Sequence, residues 1–408
     1  MTTSTRRRMS HSKTEQDPII KSKGHASLTK QPIPFFSSTA NFRLSLFILK
    51  SGIISFILHF LVGLRFGYQI VIVLAVSIVS LALIVGYQES MMYVPIIKVP
   101  APEGSGGAIE LKTVKDNPAG YRSPAEYNVD FEEQYIPTKD GEKIHTWLLH
   151  TDTCKARCGD RNAQIAVIEC HGNAGNFGLR LPSAVAALRN LNNCVCMFDY
   201  RGYGDSTGTP SEDGFVLDLA AVHDWLVSKT GHRAILHGRS VGGSLVVEYA
   251  ARMGHQWVNA ARGSDLDAKE SPDGRLAASL SSSIPLIPLI GVISENTFTS
   301  IPDLACELFP LLTPFLKSDF FIRNFLRLRW DTHGWLRSSF PRSVPILFLS
   351  SGSDELIPHL HRKQLFDTAG DLGLKAQLEF FETAGHNDLW IVGGEKYWSG
   401  IREWVSGL

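Results

Sequence analysis

The pentapeptide Gly238–Gly242, with Ser240 at its centre, constrains the fold of this chain most. It follows the short apolar run Ala234–His237 and leads into a helix-like stretch that begins at Ser244. A sharp turn from a strand into a helix leaves no room for side chains at the flanking positions, so Gly238 and Gly242 fit it. The first backbone N–H groups of the helix would point towards the serine hydroxyl. The pattern is typical of a nucleophile at a strand–helix turn.

A second Gly-x-Ser-x-Gly string, Gly204–Gly208, is centred on Ser206. It runs into Thr209 and Pro210, and no helix-like stretch follows it directly. A short motif carries meaning only in its structural context. We therefore interpret this second string as a loop turn.

Composition excludes some classes of function. The 408 residues carry no net formal charge, and 44% of them are hydrophobic. The length suits one large domain or two ordinary domains. Without an overall basic field, nucleic acid is not expected as the main partner. No Cys/His spacing resembles a zinc site, so we predict neither a metal nor a cofactor.

The N-terminal region differs sharply from the rest of the chain. Residues 1–43 carry eight Lys and Arg and few apolar residues, which predicts a basic, disordered arm. Residues 44–88 are expected to hold one or two transmembrane segments. The run Ile70–Tyr87 has no charge and predicts a membrane helix, whereas residues 44–64 contain Lys50 and His59 and make a weaker span.

The number of spans decides on which side of the membrane the rest of the chain lies. The basic arm should stay cytosolic. Two spans would return the C-terminal domain to the cytosol, and one span would place it in a lumen or outside the cell. We expect an integral protein of the endoplasmic reticulum or another endomembrane. Whether its C-terminal domain faces the cytosol or the other side of the membrane stays open. Residues 89–130, rich in Pro and Gly, predict a mobile linker.

Residues 131–408 predict an α/β domain with a mostly parallel sheet. Apolar strand-like runs alternate with helix-like stretches, which is the pattern of parallel strands covered on both faces. A hairpin joins residues 132–138 to residues 143–150 before this alternation begins. Residues 254–283 look like an inserted loop, and the Phe- and Leu-rich residues 298–341 like a cap. The predicted parallel strands are Ala163–Cys170, Cys194–Phe198, Ala234–His237, Leu289–Ile293, Ile346–Leu349 and Gln377–Phe381.

Two later strand exits supply partners for the serine. A serine hydroxyl needs a base, and the base needs an orienting acid, both expected at the carboxyl ends of later strands. Asp354 follows Ile346–Leu349, and His386 follows the last strand. Glu355 is adjacent to Asp354 but should point elsewhere. Glu295, at the end of its own strand, is the alternative acid.

The loop after the first parallel strand predicts an oxyanion hole. It reads His-Gly-Asn-Ala-Gly-Asn over residues 171–176, and its small residues allow main chain to approach a ligand closely. Stabilising an oxyanion requires backbone N–H groups aimed at the developing charge. We assign these donors to Asn173 and to Val241, the residue after the predicted nucleophile.

Taken together, the motifs resemble the α/β-hydrolase superfamily and, within it, the bud emergence protein 46-like group. The resemblance extends from about residue 130 to the chain end. It rests on HGNAGN (171–176), FDYRGYGDSTGTPSEDG (198–214), GRSVGG (238–243), ENTFTSI (295–301), GSDELIP (352–358) and AGHND (384–388).

The resemblance implies a membrane-anchored serine hydrolase with Ser240, Asp354 and His386 as its triad. Related membrane-bound hydrolases remove palmitate from cysteine, so a protein depalmitoylase acting on an acylated protein beside the bilayer is the leading expectation. A lipid or lysophospholipid esterase is the alternative. A membrane scaffold without turnover is a third reading, which an intact triad disfavours.

Overall fold

A computed structural model describes residues 55–57, 66–100, 107–152, 165–262, 289–310 and 313–408. Its strands are β1 (Ile97–Pro100), β2 (Ala108–Leu111), β3 (Asp130–Pro137), β4 (Lys143–His150), β5 (Ile165–Cys170), β6 (Cys194–Phe198), β7 (Arg233–Arg239), β8 (Leu289–Glu295), β9 (Ile346–Ser351) and β10 (Ala376–Phe381). Its α-helices are α1 (Phe66–Met92), α2 (Leu181–Leu191), α3 (Glu212–Thr230), α4 (Val241–Arg262), α5 (Ile301–Leu308), α6 (Thr313–Leu316), α7 (Asp319–Phe325), α8 (Thr332–Ser338), α9 (His359–Asp371), α10 (Leu389–Val392) and α11 (Gly394–Ser406).

Eight strands form the central sheet in the order β10-β9-β8-β7-β5-β6-β4-β3. The strands from β5 to β10 run parallel to one another, whereas β4 pairs antiparallel with β6 and forms the antiparallel hairpin with β3 at one edge. Because parallel strands end at the same edge, the loops after β5, β7, β8, β9 and β10 meet there. The predicted mostly parallel sheet of an α/β-hydrolase fold is confirmed.

Helices cover both faces of this sheet, so its strands are buried on two sides. Ile235 and Leu236 are adjacent on β7, and both are fully buried. Because strand side chains alternate between faces, Leu236 packs into the core beneath α3 and α4, and Ile235 into the core beneath α2 and α11. This burial explains why the strands read as continuous apolar runs.

The described parts of the segment predicted as a mobile linker, residues 89–100 and 107–130, form regular structure and pack on the domain, in contrast to that prediction. Helix α1 continues to Met92, and β1 and β2 then form an antiparallel pair. Tyr93, Ile97, Leu111 and Val114 are at most 6% exposed. Pro and Gly suggested a flexible linker, but these few apolar residues bury themselves against the hydrolase domain.

The structure describes only part of the N-terminal region. No helix in the described part of the chain meets the length and hydropathy expected of a membrane span, so the predicted spans are not confirmed. The basic arm, most of residues 44–64 and residues 263–283 of the predicted insertion lie outside the described residues. The part of that insertion up to Arg262 continues helix α4.

Candidate active site

The turn between β7 and α4 holds Ser240 in a left-handed backbone conformation, with φ of 58°. A Cβ placed on Gly238 would lie 2.0 Å from the Gly242 carbonyl oxygen. A Cβ on Gly242 would lie 2.1 Å from the Cys170 carbonyl oxygen. Both contacts are too short for any side chain, so these two glycines are required for steric reasons. Helix α4 begins at Val241, earlier than the predicted Ser244.

His386 and Asp354 lie at the exits of β10 and β9 and contact each other. His386 Nδ1 lies 2.8 Å from Asp354 Oδ2, and both side chains are at most 5% exposed. The other oxygen of Asp354 accepts hydrogen bonds from the N–H groups of Leu356 and Ile357, each at 2.8 Å. With Nδ1 donating to the fixed carboxylate, Nε2 is left as the proton acceptor.

Two adjacent residues after β8 hold the serine and histidine loops side by side. The Asn296 side-chain amide donates to the His386 carbonyl oxygen at 3.0 Å. The Thr297 hydroxyl donates to the Ser240 carbonyl oxygen at 2.8 Å. Asn296 also accepts from the Ser351 N–H at 2.8 Å. Nothing in the sequence alone distinguishes these two positioning residues, although both lie within the ENTFTSI motif.

The two alternative acids occupy other positions. Glu355 accepts from the backbone N–H of His386 at 3.1 Å, and its carboxylate has no described contact with the imidazole. Glu295 is fully buried and bonds to Arg239 Nε at 2.5 Å, to the Tyr397 hydroxyl at 2.6 Å and to His237 Nε2 at 3.2 Å. The geometry therefore favours Asp354 as the partner of His386.

The electrostatics of Glu295 fit a structural ion pair. Burial raises its pKa, but the charge of Arg239 and the hydrogen bonds from His237 and Tyr397 outweigh burial and lower the pKa to about 2. Burial lowers the pKa of His237, yet Glu169 and Glu295 raise it to about 9. Both groups therefore carry charge at neutral pH and stabilise each other behind the turn.

The predicted oxyanion loop, residues 171–176, lies beside the serine. The Cβ of Ser240 is 3.7 Å from the point where a side chain on Gly172 would begin. Among the described hydrogen bonds, the backbone N–H of Asn173 has no acceptor. The N–H of Val241, the first residue of α4, has no acceptor within its helix. Neither N–H group has a described acceptor, and their assignment to an oxyanion hole remains a prediction.

The segment after α1 holds this loop in place, a contact that sequence reasoning missed. The Asn173 side-chain amide donates to the Met92 carbonyl oxygen. The Gly175 N–H donates to the Val94 carbonyl oxygen at 2.9 Å. The buried Tyr203 hydroxyl lies 2.8 Å from the Asn173 carbonyl oxygen and 3.2 Å from the Val94 N–H. Tyr203 therefore ties the loop to the N-terminal segment.

Replacing Tyr203 with phenylalanine is expected to lower kcat by about 10-fold to 100-fold with little change in KM. The loss in kcat is expected to be smaller than the factor of about 100 or more that follows the outright removal of an oxyanion donor, because here the Asn173 donor is only loosened. Steady-state kinetics on a small ester measures the effect. Tyr127→Phe, which removes a remote hydroxyl bonded to Gly120, is the matched control and should leave kcat unchanged. Equal losses in both variants would contradict a positioning role for Tyr203.

The second Gly-x-Ser-x-Gly string is a turn, as its sequence context predicted. Ser206 is buried, accepts from the His145 N–H at 2.9 Å and donates to the Asp199 carbonyl oxygen at 2.8 Å. Its hydroxyl is thus satisfied by backbone. Among the described residues, no group of three His, Cys, Asp or Glu side chains could hold a metal ion.

The fold and the turn at Ser240 define an α/β-hydrolase-fold protein. Residues 165–259 match the family model described as alpha/beta hydrolase fold. This stretch contains the predicted oxyanion loop, the serine turn and most of helix α4. The motif-based resemblance to this superfamily is confirmed.

Within it, the chain is similar to the Bem46 group. It is 29% identical to alpha/beta hydrolase domain-containing protein WAV2 of Arabidopsis thaliana, over 79% of this chain and 89% of that protein. Identity to protein bem46 of Schizosaccharomyces pombe is 27%, over 82% and 90% of the two chains. An uncharacterized membrane protein of Saccharomyces cerevisiae is 27% identical over 81% and 93%.

A solved structure, the esterase Pf2001 of Pyrococcus furiosus, resembles the chain with 16% identity and a TM-score of 0.48. It covers 70% of this chain and 92% of its own.

Proposed function

We propose that this protein is a membrane-anchored serine hydrolase that cleaves an acyl ester or thioester through an acyl-enzyme. One observation carries the proposal. The His386 imidazole is fixed by Asp354, and the adjacent residues Asn296 and Thr297 bond its loop and the Ser240 turn together. A nucleophile, a base oriented by an acid, and free oxyanion donors are the parts that acyl transfer needs.

In the proposed reaction, His386 Nε2 takes the hydroxyl proton as Ser240 Oγ attacks the carbonyl carbon. The backbone N–H groups of Asn173 and Val241 bind the oxyanion of the tetrahedral intermediate. When this intermediate collapses, His386 gives the proton to the leaving alcohol or thiol. Water then repeats the sequence on the acyl-serine and releases the acid. Asp354 orients the imidazole and stabilises the imidazolium.

Exposed aromatic side chains in the proposed cap, residues 298–341, support a long acyl chain as the substrate group. Several aromatic side chains between α5 and α7 are 38% to 70% exposed, namely Phe309, Phe315, Phe320 and Phe325. Exposed apolar side chains in such a group mark an apolar ligand or a membrane. A palmitoyl thioester on a protein is the leading candidate, and a lysophospholipid ester is the alternative.

Two observations support membrane attachment. On α1, Val71, Ile78 and Val79 are more than half exposed, in a run that carries no charge. One of the similar yeast proteins is named a membrane protein.

The end of α1 contacts the proposed cap. The Gln88 side chain donates to the Phe325 carbonyl oxygen at 3.0 Å and accepts from the Arg327 N–H at 2.8 Å. An active site beside the bilayer would suit an acyl substrate.

Hydrolysis assays on the purified full chain in detergent test the proposal. We expect cleavage of a 4-nitrophenyl acyl ester and of a palmitoyl-cysteine peptide, and loss of both activities after treatment with a fluorophosphonate. Faster cleavage of a lysophospholipid than of the peptide would favour the alternative substrate. Folded protein that neither hydrolyses an ester nor reacts with the fluorophosphonate would contradict the proposed function.

A further inference from the structure

A cationic side chain, Arg180, reaches back towards the oxyanion loop. Arg180 ends the short 3₁₀ helix Phe177–Arg180, immediately before α2. Its Nη2 lies 3.4 Å from the Ala174 carbonyl oxygen. A Cβ atom built on Gly172 would lie 4.0 Å from this nitrogen and 3.7 Å from Ser240 Cβ. The guanidinium and the Cβ of the proposed nucleophile therefore both lie within about 4 Å of one point beside Gly172.

Arg180 carries a charge without a described counter-ion. No carboxylate in the described part of the chain forms an ion pair with it, and its buried Nε has no hydrogen-bond partner. Burial and the like charge of Arg239 lower the pKa of Arg180 to about 10, so it stays protonated at neutral pH. Arg180 as a whole is partly exposed, but its Nε is shielded from water. A cation that is partly removed from water without an anionic partner is costly, and such groups are normally paired.

The carboxylates nearby are already engaged by other partners. Arg239 lines the same small cavity as Arg180, and its charge is balanced by Glu295. Glu169 lines it as well and bonds to His237 Nδ1 at 3.0 Å. Arg180 itself is partly exposed, so a bound molecule could reach it. An anion supplied by that molecule would complete the pairing.

We propose that Arg180 forms an anion subsite that binds a carboxylate or phosphate group of the substrate close to the scissile ester. This inference rests on the proposed function and, of its two candidate substrates, favours the phosphate-bearing lysophospholipid ester over the palmitoyl thioester. A guanidinium matches both groups because its planar fork gives two parallel hydrogen bonds to their oxygens. The subsite favours an acylated phosphate ester or a dicarboxylate half-ester over a neutral ester with the same acyl chain.

Matched substrate pairs test the subsite. One pair is mono-4-nitrophenyl glutarate and its neutral methyl ester, and the other is a 1-acylglycerol 3-phosphate and the corresponding 1-acylglycerol. For the wild-type protein we expect kcat/KM to be about 10-fold to 100-fold higher for the anionic member of at least one pair, since charge-assisted hydrogen bonds are lost in the neutral one. The pair with the larger ratio identifies the source of the anion.

Variants of Arg180 separate this role from a structural one. Arg180→Gln should bring the anionic-to-neutral ratio close to one, mainly through KM, and Arg180→Lys should restore part of it. Arg342→Gln, at an exposed position remote in the sequence, is the matched control and should leave the ratio unchanged. Thermal unfolding of each variant monitors folding.

Three results would overturn the subsite. The first is a wild-type protein without preference for either anionic ester. The second is an Arg180→Gln variant that keeps the wild-type preference. The third is an Arg180→Gln variant whose kcat/KM falls equally on anionic and neutral esters. The last of these would assign Arg180 to the oxyanion or to folding. In all three results the neutral ester is still hydrolysed by the wild type, so the proposed function stands. A folded wild type that hydrolyses no ester and resists fluorophosphonate would overturn both proposals.

Discussion

Replacing Ser240 with alanine is expected to lower kcat for ester hydrolysis by about 10⁵-fold to 10⁶-fold, because the variant has no atom that can form the acyl-enzyme. Alanine keeps the Cβ and accepts the left-handed backbone at some cost, so the fold should survive. The residual rate would come from the oxyanion donors and substrate binding alone. Single-turnover and steady-state assays with a 4-nitrophenyl ester measure the loss.

Ser206→Ala is the matched control for this prediction. It lies at the centre of the other Gly-x-Ser-x-Gly string, and its hydroxyl bonds only to the backbone of His145 and Asp199 among the described contacts. Removing the Ser206 hydroxyl should lower the free energy of unfolding by about 1–3 kcal/mol and leave kcat nearly unchanged. A Ser240→Ala variant that retains wild-type turnover, or a Ser206→Ala variant that is folded and inactive, would contradict the assignment.

Replacing Asp354 with asparagine is expected to lower kcat by about 10⁴-fold while the free energy of unfolding changes little. An amide at this position favours the wrong imidazole tautomer and cannot stabilise the imidazolium. Steady-state kinetics together with chemical denaturation measure both quantities.

Glu295→Gln tests the competing acid and should give the opposite pattern. This change leaves the buried charge of Arg239 without its carboxylate partner and leaves His237 with Glu169 alone, which we expect to lower the free energy of unfolding by about 3–5 kcal/mol. Turnover of the remaining folded protein should fall far less than in Asp354→Asn. A larger loss of turnover in Glu295→Gln than in Asp354→Asn would make Glu295 the partner of His386.

The stability effect of Glu295 depends on pH in a defined direction. Its pKa is lowered from 4.5 to about 2, so its stabilisation is fully present above about pH 4.5 and is lost as pH falls towards 2. The difference in the free energy of unfolding between the wild type and Glu295→Gln should therefore become smaller as the pH is lowered from 4.5 to 2. The raised pKa of His237, about 9, adds stability below pH 6.5 that is lost as pH rises through 9.

The sequence pointed to the parts of the site that depend on local rules. Gly238 and Gly242 follow from the space that a strand–helix turn leaves, and the structure places each beside a backbone carbonyl. Asp354 and His386 follow from their positions after parallel strands, since such strands end at one edge of a sheet. The structure places these two side chains in contact.

The parts that sequence reasoning missed depend on contacts between distant segments. Nothing local to Val94 or Met92 indicates that they bond to the loop around Asn173, about 80 residues further along the chain. Proline and glycine around these residues suggested a mobile linker instead. Asn296 resembles any polar residue at a strand exit, because its partners lie on β9 and the histidine loop. Arg180 has no described counter-ion, and that too becomes visible only in three dimensions.

The central claim is that Ser240 is the nucleophile, and mapping the site of fluorophosphonate attachment tests it most directly. The folded full chain would be labelled, digested and analysed by tandem mass spectrometry, with the Ser240→Ala variant treated in parallel. We predict one phosphonylated residue, Ser240, and no labelling of the variant. A phosphonate on Ser206 or another residue, or a folded protein that takes up none, would contradict the claim.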